Sequence, residues 1–290
     1  PRRYPVPTRV FSNGEFKPLR QTARQKKSER ALVDLADRYG PGQGMDRRQF
    51  LKSASGMAAA FLAMNSVYGP IFEVAPAEAA DAAAAETLRR AFDRQFIFDV
   101  QLHFVREEYA WQGLTGLRRY ARNWNEEMAG DTATLDKLKF NNFLKEVFEE
   151  SQTDIGLLSG APSDDPRKWF LTNDEIASAR ALINSIAGKR RLLGHAIFTP
   201  GQPGWLEEID RAVEELRPDS WKGYTIGDPL GPSRYPWRLD DEKLVYPAYE
   251  KMVRSGIRNV CIHKGLLPED YRSSFADLWK FAAVDDVGKA

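Results

Sequence analysis

From residue 96 onward, short runs rich in β-branched and aromatic residues alternate with stretches of helical periodicity, and this alternation limits the folds open to the chain. The strand-like runs fall at 96–105, 153–159, 191–199, 220–226 and 258–264, with helix candidates at 132–150, 172–187, 204–216, 240–255 and 268–283. Helix punctuation is present: Thr172 before Asn173, Asp174 and Glu175 reads as an N-cap with an acidic first turn, and Gly188, Pro218 and Gly256 close helices. Five strands, each followed by a helix, specify parallel pairing, because a parallel neighbour requires a long crossover. The expected class is α/β, of (β/α)8 TIM-barrel type. No glycine-rich phosphate turn follows the first strand, so the nucleotide chemistry of open doubly wound sheets has no support. A complete (β/α)8 barrel takes about 250 residues and only about 200 follow the leader, so truncation after strand five is expected.

The first strand carries an unusual pattern. Asp99, Gln101 and His103 sit at i, i+2 and i+4, so in a strand they share one face, while Val100, Leu102 and Phe104 share the other. Burying an unpartnered polar group costs roughly 2–7 kcal/mol, so three in a row point to something that binds them. An edge strand with one solvated face gives the same pattern.

The chain contains three histidines. His103 and His263 fall near the C-terminal ends of strands one and five, where barrel active sites form, whereas His195, near the start of strand three, reads as packing or hydrogen bonding at the opposite end. A single cysteine, Cys261, excludes an internal disulfide and a cysteine-based structural zinc site.

Charge separates a leader from the rest. Residues 1–52 hold 13 Lys/Arg against 5 Asp/Glu, leaving 29 against 36 for the remainder, so nucleic-acid binding by the folded part is not indicated. Residues 1–44 are basic and punctuated by Pro and Gly; a largely disordered extension is expected, with one short helix at 28–38 and little burial. Residues 45–80 have the layout of a twin-arginine signal peptide: Arg47-Arg48 followed by Phe50-Leu51-Lys52, a mild apolar stretch at 54–67, and an A-x-A site within Ala75-Pro76-Ala77-Glu78-Ala79-Ala80. An amphipathic surface helix is the competing reading of that stretch. The export reading implies the twin-arginine translocase as a partner and a periplasmic or otherwise exported product. The third region, 86–290, is the expected partial barrel.

From Asp99 to the C-terminus the chain resembles the amidohydrolase superfamily, specifically the amidohydrolase-related (type 2) metal-dependent hydrolases that include the aminocarboxymuconate-semialdehyde decarboxylase group. The resemblance is carried by Asp99-Val100-Gln101-Leu102-His103, by Trp221-Lys222-Gly223-Tyr224, and by the stretch from Gly256 to Gly265 that contains Cys261-Ile262-His263-Lys264. It implies a divalent metal, zinc or alternatively manganese, held by an H-x-H pair on strand one, histidines on strands five and six, and an aspartate on strand eight. His103 matches the second histidine of the pair and His263 the strand-five histidine. Gln101 stands where the first histidine would be, and its amide oxygen is a weaker zinc ligand than imidazole. The strand-six and strand-eight ligands have no counterpart here. Lys222 matches a strand-four lysine that is sometimes carbamylated; snorkelling, or pairing with a carboxylate such as Asp99, is the competing reading.

The metal candidates are therefore His103, His263 and Gln101, and the catalytic candidates are Lys222 and Asp99. The implied activity is hydrolysis of a C–N or C–O bond by metal-activated water, or decarboxylation in the related branch, with this 290-residue form expected to be inactive. Tyr224, Trp237 and the aromatic stretch holding Trp111, Tyr120 and Trp124 point to a small aromatic or apolar acid as substrate. A homodimer is left open. The alternative is a non-catalytic exported barrel that binds a ligand or partner through a degenerate metal site.

Overall fold

The computed structural model describes residues 4–6, 8, 20–92, 95–122, 130, 132–264 and 278–290. Their contacts divide the chain into two compact units, one ending at Gln95 and one beginning at Phe96.

The first unit is helical. Helices α1 (Ala23–Tyr39), α2 (Arg47–Phe50), α3 (Ala54–Tyr68), α4 (Pro76–Ala80) and α5 (Ala82–Phe92) follow one another. Thr22 and Gln25 form a capping box at the start of α1, and Ser53 caps α3. The short helix expected at 28–38 is therefore longer, and it buries what the basic composition concealed. Leu32 and Ala36 are fully buried against Phe50 and the alanine face of α3, Ala59, Ala60 and Ala63. The expectation that residues 1–44 bury little fails for 23–39, because three small or apolar positions at helical spacing suffice to dock an otherwise charged helix. Among the described residues no helix is long and apolar enough to cross a membrane.

The second unit contains a five-stranded, all-parallel sheet. Its strands are β1 (Phe98–Leu102), β2 (Ile155–Leu158), β3 (Leu192–Ile197), β4 (Ser220–Tyr224) and β5 (Val260–His263), in the order β1-β2-β3-β4-β5. Sequential neighbours joined by helical crossovers make a parallel half-barrel, as the alternation predicts. The crossovers include α6 (Thr115–Arg122) and α7 (Phe140–Leu144) after β1, α8 (Asn173–Ala187) after β2, α9 (Trp205–Arg211) after β3 and α10 (Tyr246–Ser255) after β4; α11 (Trp279–Ala282) follows β5.

The outer layer is apolar. Leu102, Leu158 and Leu192 pack with Ile176, Ala179 and Ile183 of α8, and Trp221 packs with Ile209, Ala212, Ala248 and Met252 of the α9 and α10 region. Two asparagines tie α8 to β3. Asn173 exchanges both amide hydrogen bonds with the backbone of Ile197, at 2.7 and 3.1 Å, and Asn184 accepts from the N–H groups of Arg191 and Leu192 while donating to Leu192 O. Strand β3 is thereby held at both ends, which fixes the height of His195 within it.

Several elements differ from expectation in extent. The helix expected at 132–150 breaks into a 3₁₀ turn (Leu135–Leu138), α7 and a π-helical turn (Lys145–Glu149), and α9 likewise runs into a π-helical turn (Ala212–Leu216). The helix expected from Asp240 or Asp241 begins at Tyr246, because Asp241 accepts from the Leu244 N–H and holds a preceding turn instead. Of the last expected helix, only Trp279–Ala282 is described, and Trp124 also lies outside the described residues.

Candidate functional site

Strand β1 delivers only part of its expected polar face. Val100 is 56% and Phe98 42% exposed, so the supposed apolar face is buried only at Leu102 and Phe104, as an edge strand allows. Pairing with β2 loses register between Asp99 and Leu102. Gln101 is exposed, and its N–H donates to Asp99 Oδ1 at 3.0 Å. His103 lies just past the strand, half-buried, with Nδ1 2.7 Å from the carbonyl oxygen of Ser159. A carbonyl can only accept, so Nδ1 carries the proton and Nε2 keeps its lone pair.

On β4, Ser220, Lys222 and Tyr224 share the face opposite Trp221 and its helices. The parallel register sets His195 beside Ser220, Cys261 beside Lys222 and His263 beside Tyr224. Tyr224 is the hub. Its ring stacks on that of His263 with centroids 5.0 Å apart, the Lys222 Nζ stands 5.4 Å from its ring centre, and its hydroxyl donates to Gly160 O at 3.2 Å. Gly160 follows Ser159, the residue that holds His103. Contributions from β1, β2, β4 and β5 thus meet around one tyrosine.

The register sets His195 beside Ser220, the first residue of β4, four residues before the level of Tyr224 and His263. His195 is buried at 2% exposure, with Nδ1 2.6 Å from Ser220 Oγ and with Nε2 buried and without a partner. It is thus a packed and hydrogen-bonded residue beside the N-terminal end of β4, as read from its place in the sequence.

Burial first, and the charge of Lys222 second, push all three imidazoles down to about 4. His103 is further lowered by His263 and raised by the Ser159 carbonyl and Asp99; His195 is lowered by His103 and raised by Asp219. Lys222 is itself 4% exposed, and burial lowers its proton affinity. Among the described residues no ion pair joins it to Asp99, so the expected lysine–carboxylate pairing is absent, and its charge faces neutral imidazoles and the Tyr224 ring.

Against a divalent metal, the donors fit in kind. His103 and His263 are neutral imidazoles, and the Nδ1 of His103 is anchored to a carbonyl in the manner that orients metal-ligating histidines. They fall short in number: among the described residues no three His, Cys, Asp or Glu side chains form a group that could hold an ion.

The aromatic hints resolve differently. Trp237 is 2% exposed, packs on Phe198 at 5.3 Å between centroids and donates its indole N–H to Tyr224 O, so it buttresses β4. It also lines a cavity of about 410 Å³ with Pro236, Arg238, Asp240 and Phe281, which contains none of the imidazoles. Trp111 is 39% exposed. Ser159 and Ser220, which hold His103 and His195, were not singled out by sequence.

No family model matches the chain, and no curated protein matches it. Among solved structures, the crystal structure of 5-carboxyvanillate decarboxylase from Sphingomonas paucimobilis is similar over 67% of this chain and 59% of that one, at 15% identity and a TM-score of 0.37. This chain therefore spans less than two thirds of that protein's length, and a likeness of that depth assigns no activity.

Proposed function

We propose that the unit beginning at Phe96 is a small-molecule enzyme of amidohydrolase-related type, either hydrolysing a C–N or C–O bond or releasing carbon dioxide from a carboxylic acid. One observation carries the reading: His103 just past β1, Lys222 on β4 and His263 on β5 lie near enough to act on one another electrostatically. Convergence of basic side chains from separate parallel strands is how barrel enzymes assemble their chemistry. In this reading His103 and His263 hold a divalent zinc or manganese ion, with Gln101 beside them. Such an ion, when bound, supplies Lewis-acid polarisation and a water of lowered pKa.

The chain's own groups have distinct tasks. The Ser159 carbonyl keeps the Nε2 of His103 deprotonated and directed inward. Tyr224 fixes the plane of His263 by stacking. Lys222 stabilises negative charge that develops on the substrate, and Asp99, which raises the proton affinity of His103, steadies that imidazole electrostatically. The substrate in this reading is a small aromatic or apolar acid or its derivative.

The test is metal analysis of the full chain after exposure to zinc or manganese, with a panel of aryl amides, esters and carboxylic acids for turnover. Stoichiometric metal lost in both His103→Ala and His263→Ala, with turnover lost alongside, supports the enzyme. Normal folding with neither metal nor turnover supports the second reading, a non-catalytic binding protein, which the exposure of Gln101 and the shortage of a third donor favour.

For the first unit we propose export through the twin-arginine pathway to the periplasm, read from Arg47-Arg48 and the residues after them. Replacing both arginines by lysine and fractionating the cells tests it.

A further inference from the structure

The small-residue run at 75–80 contains two A-x-A frames, one ending at Ala77 and one at Ala79, and the fold treats them differently. Ala77 is exposed, whereas Ala79 is fully buried in the apolar cluster that also holds Leu32, Phe50 and Ala59. The run is helical. Pro76 opens α4, the Glu78 carboxylate accepts from the Ala75 N–H at 3.0 Å, and the Asp81 N–H donates to the Ala77 carbonyl at 2.9 Å.

The Ala79 carbonyl, the group attacked when the second frame is cut, is bonded to a side chain 36 residues away: Gln43 Nε2 donates to it at 2.9 Å. A carbonyl can only accept, so the amide oxygen of Gln43 points the other way, where it accepts from the Ser55 hydroxyl at 2.9 Å. Ser55 is itself 1% exposed, so the amide is gripped at both ends. Gln43 is also presented rigidly, by the turn Gly40-Pro41-Gly42-Gln43-Gly44. The Gln43 and Met45 N–H groups both donate to Gly40 O at 3.0 Å, and Gly44 takes a φ of 68°, which favours glycine. A Cβ on Gly40 would come within 2.8 Å of Ala36 O, so the turn is pressed against the end of α1 and takes its position from that helix. Helix α1 in turn docks on α3 through Leu32 and Ala36.

A protease takes its substrate extended, as an added strand, so a bond inside a buried helix is cut only through local opening. The rate then follows the population of the open form. Resting on the export reading, we propose that Ala79–Ala80 is the bond cut when the leader is removed, and that Gln43, upstream of the signal, is a latch that keeps it closed until α1 comes away from α3. Hydrolysis adds one water across that bond, leaving a carboxylate on Ala79 and an amine on Ala80. Processing thereby follows engagement by the translocase instead of preceding it.

The experiment treats the purified full chain with solubilised signal peptidase of A-x-A specificity and reads the new N-terminus by mass spectrometry. A synthetic peptide of residues 70–90 is the unlatched reference. Both substrates are expected to yield a product beginning at Ala80, the peptide far faster. Gln43→Glu keeps an acceptor for Ser55 but has no donor for the Ala79 carbonyl; it is expected to raise the full-chain rate about two- to tenfold, the effect of one lost hydrogen bond on the opening equilibrium. Gln43→Met, similar in shape and lacking both bonds, is expected to do the same, and Leu32→Glu, which undocks α1, to raise the rate at least as far. Trypsin nicking at Arg47 and Arg48 gauges general loosening and is expected to change in Leu32→Glu alone.

A product beginning elsewhere, a full chain cut as fast as the peptide, a rate unmoved by both Gln43 variants, or trypsin nicking that rises in step with them would each overturn the latch. Export is scored separately by cell fractionation. Export lost in Arg47→Lys/Arg48→Lys, with a cleavage rate that ignores Gln43, overturns the latch and keeps the signal; export indifferent to the twin lysines, with Ala79–Ala80 cut under the control of Gln43, does the reverse.

Discussion

Protonation of His195 is expected to make the second unit acid-labile, by an amount that can be worked out. Its imidazole is 2% exposed and titrates at about 4, against 6.5 for a free histidine. Between those values the unfolded chain binds a proton that the folded chain does not. Stability therefore falls as pH drops from 6.5 towards 4, and below 4 the loss is complete. For one such group the loss is about 2 kcal/mol at pH 5 and about 3 kcal/mol at pH 4, relative to pH 7. His103 and His263 are lowered similarly and interact with it, so the three steepen the fall without adding independently. The assay is urea denaturation of chelator-treated protein at several pH values, followed by tryptophan fluorescence. All seven tryptophans lie beyond residue 96, and Trp221 and Trp237 are fully buried, so the signal reports this unit. His195→Gln should flatten the curve between pH 6 and 5 by about one proton of slope. Parallel curves for wild type and variant would refute the buried, neutral placement of this ring.

Other expectations test the frame around the site. Asn173→Ala strands the N–H and carbonyl of Ile197 in a buried setting and should cost about 2–4 kcal/mol in urea denaturation. Gly223→Ala would bring a methyl within 2.8–2.9 Å of the Trp237 and Phe198 rings, so a loss of about 1–3 kcal/mol with altered tryptophan emission is expected. Lys264 and Asp286 form a buried ion pair at 3.1 Å, with side chains 5% and 0% exposed, joining the end of β5 to the C-terminal stretch. Asp286→Leu alone should cost about 3–5 kcal/mol, while adding Lys264→Met should restore much of it, as thermal denaturation of the single and double variants would show.

The alternation of strands and helices was legible because burial is periodic: two residues in β, 3.6 in α, with caps at Thr172 and Gly188 marking α8 to the residue. What was illegible depends on neighbours. The helix at 132–150 has the right spacing of Leu135, Leu138, Phe143 and Val147, yet breaks into three pieces, since periodicity says which side chains are buried and nothing of how regularly the backbone carries them. The leader misled in the opposite sense. Its charge advertises solvent, while Leu32, Ala36 and Phe50 are enough to fasten α1.

The site shows the same division more sharply. Face alternation along one strand correctly groups Ser220, Lys222 and Tyr224, but β1 defeats it. That strand lies at an edge of the described sheet and loses register after Asp99, so Gln101 is exposed and His103 turns in beside Ser159. His195 was legible as a buried, hydrogen-bonded residue, but its partner Ser220 depends on the register of β3 against β4, which no single strand encodes. The three imidazoles share a buried interior with Lys222, and burial together with the charge of Lys222 keeps them neutral. The polarity that made strand one conspicuous is thus met unevenly by its surroundings: the carbonyl of Ser159, just past strand two, takes up His103, while Gln101 faces outward.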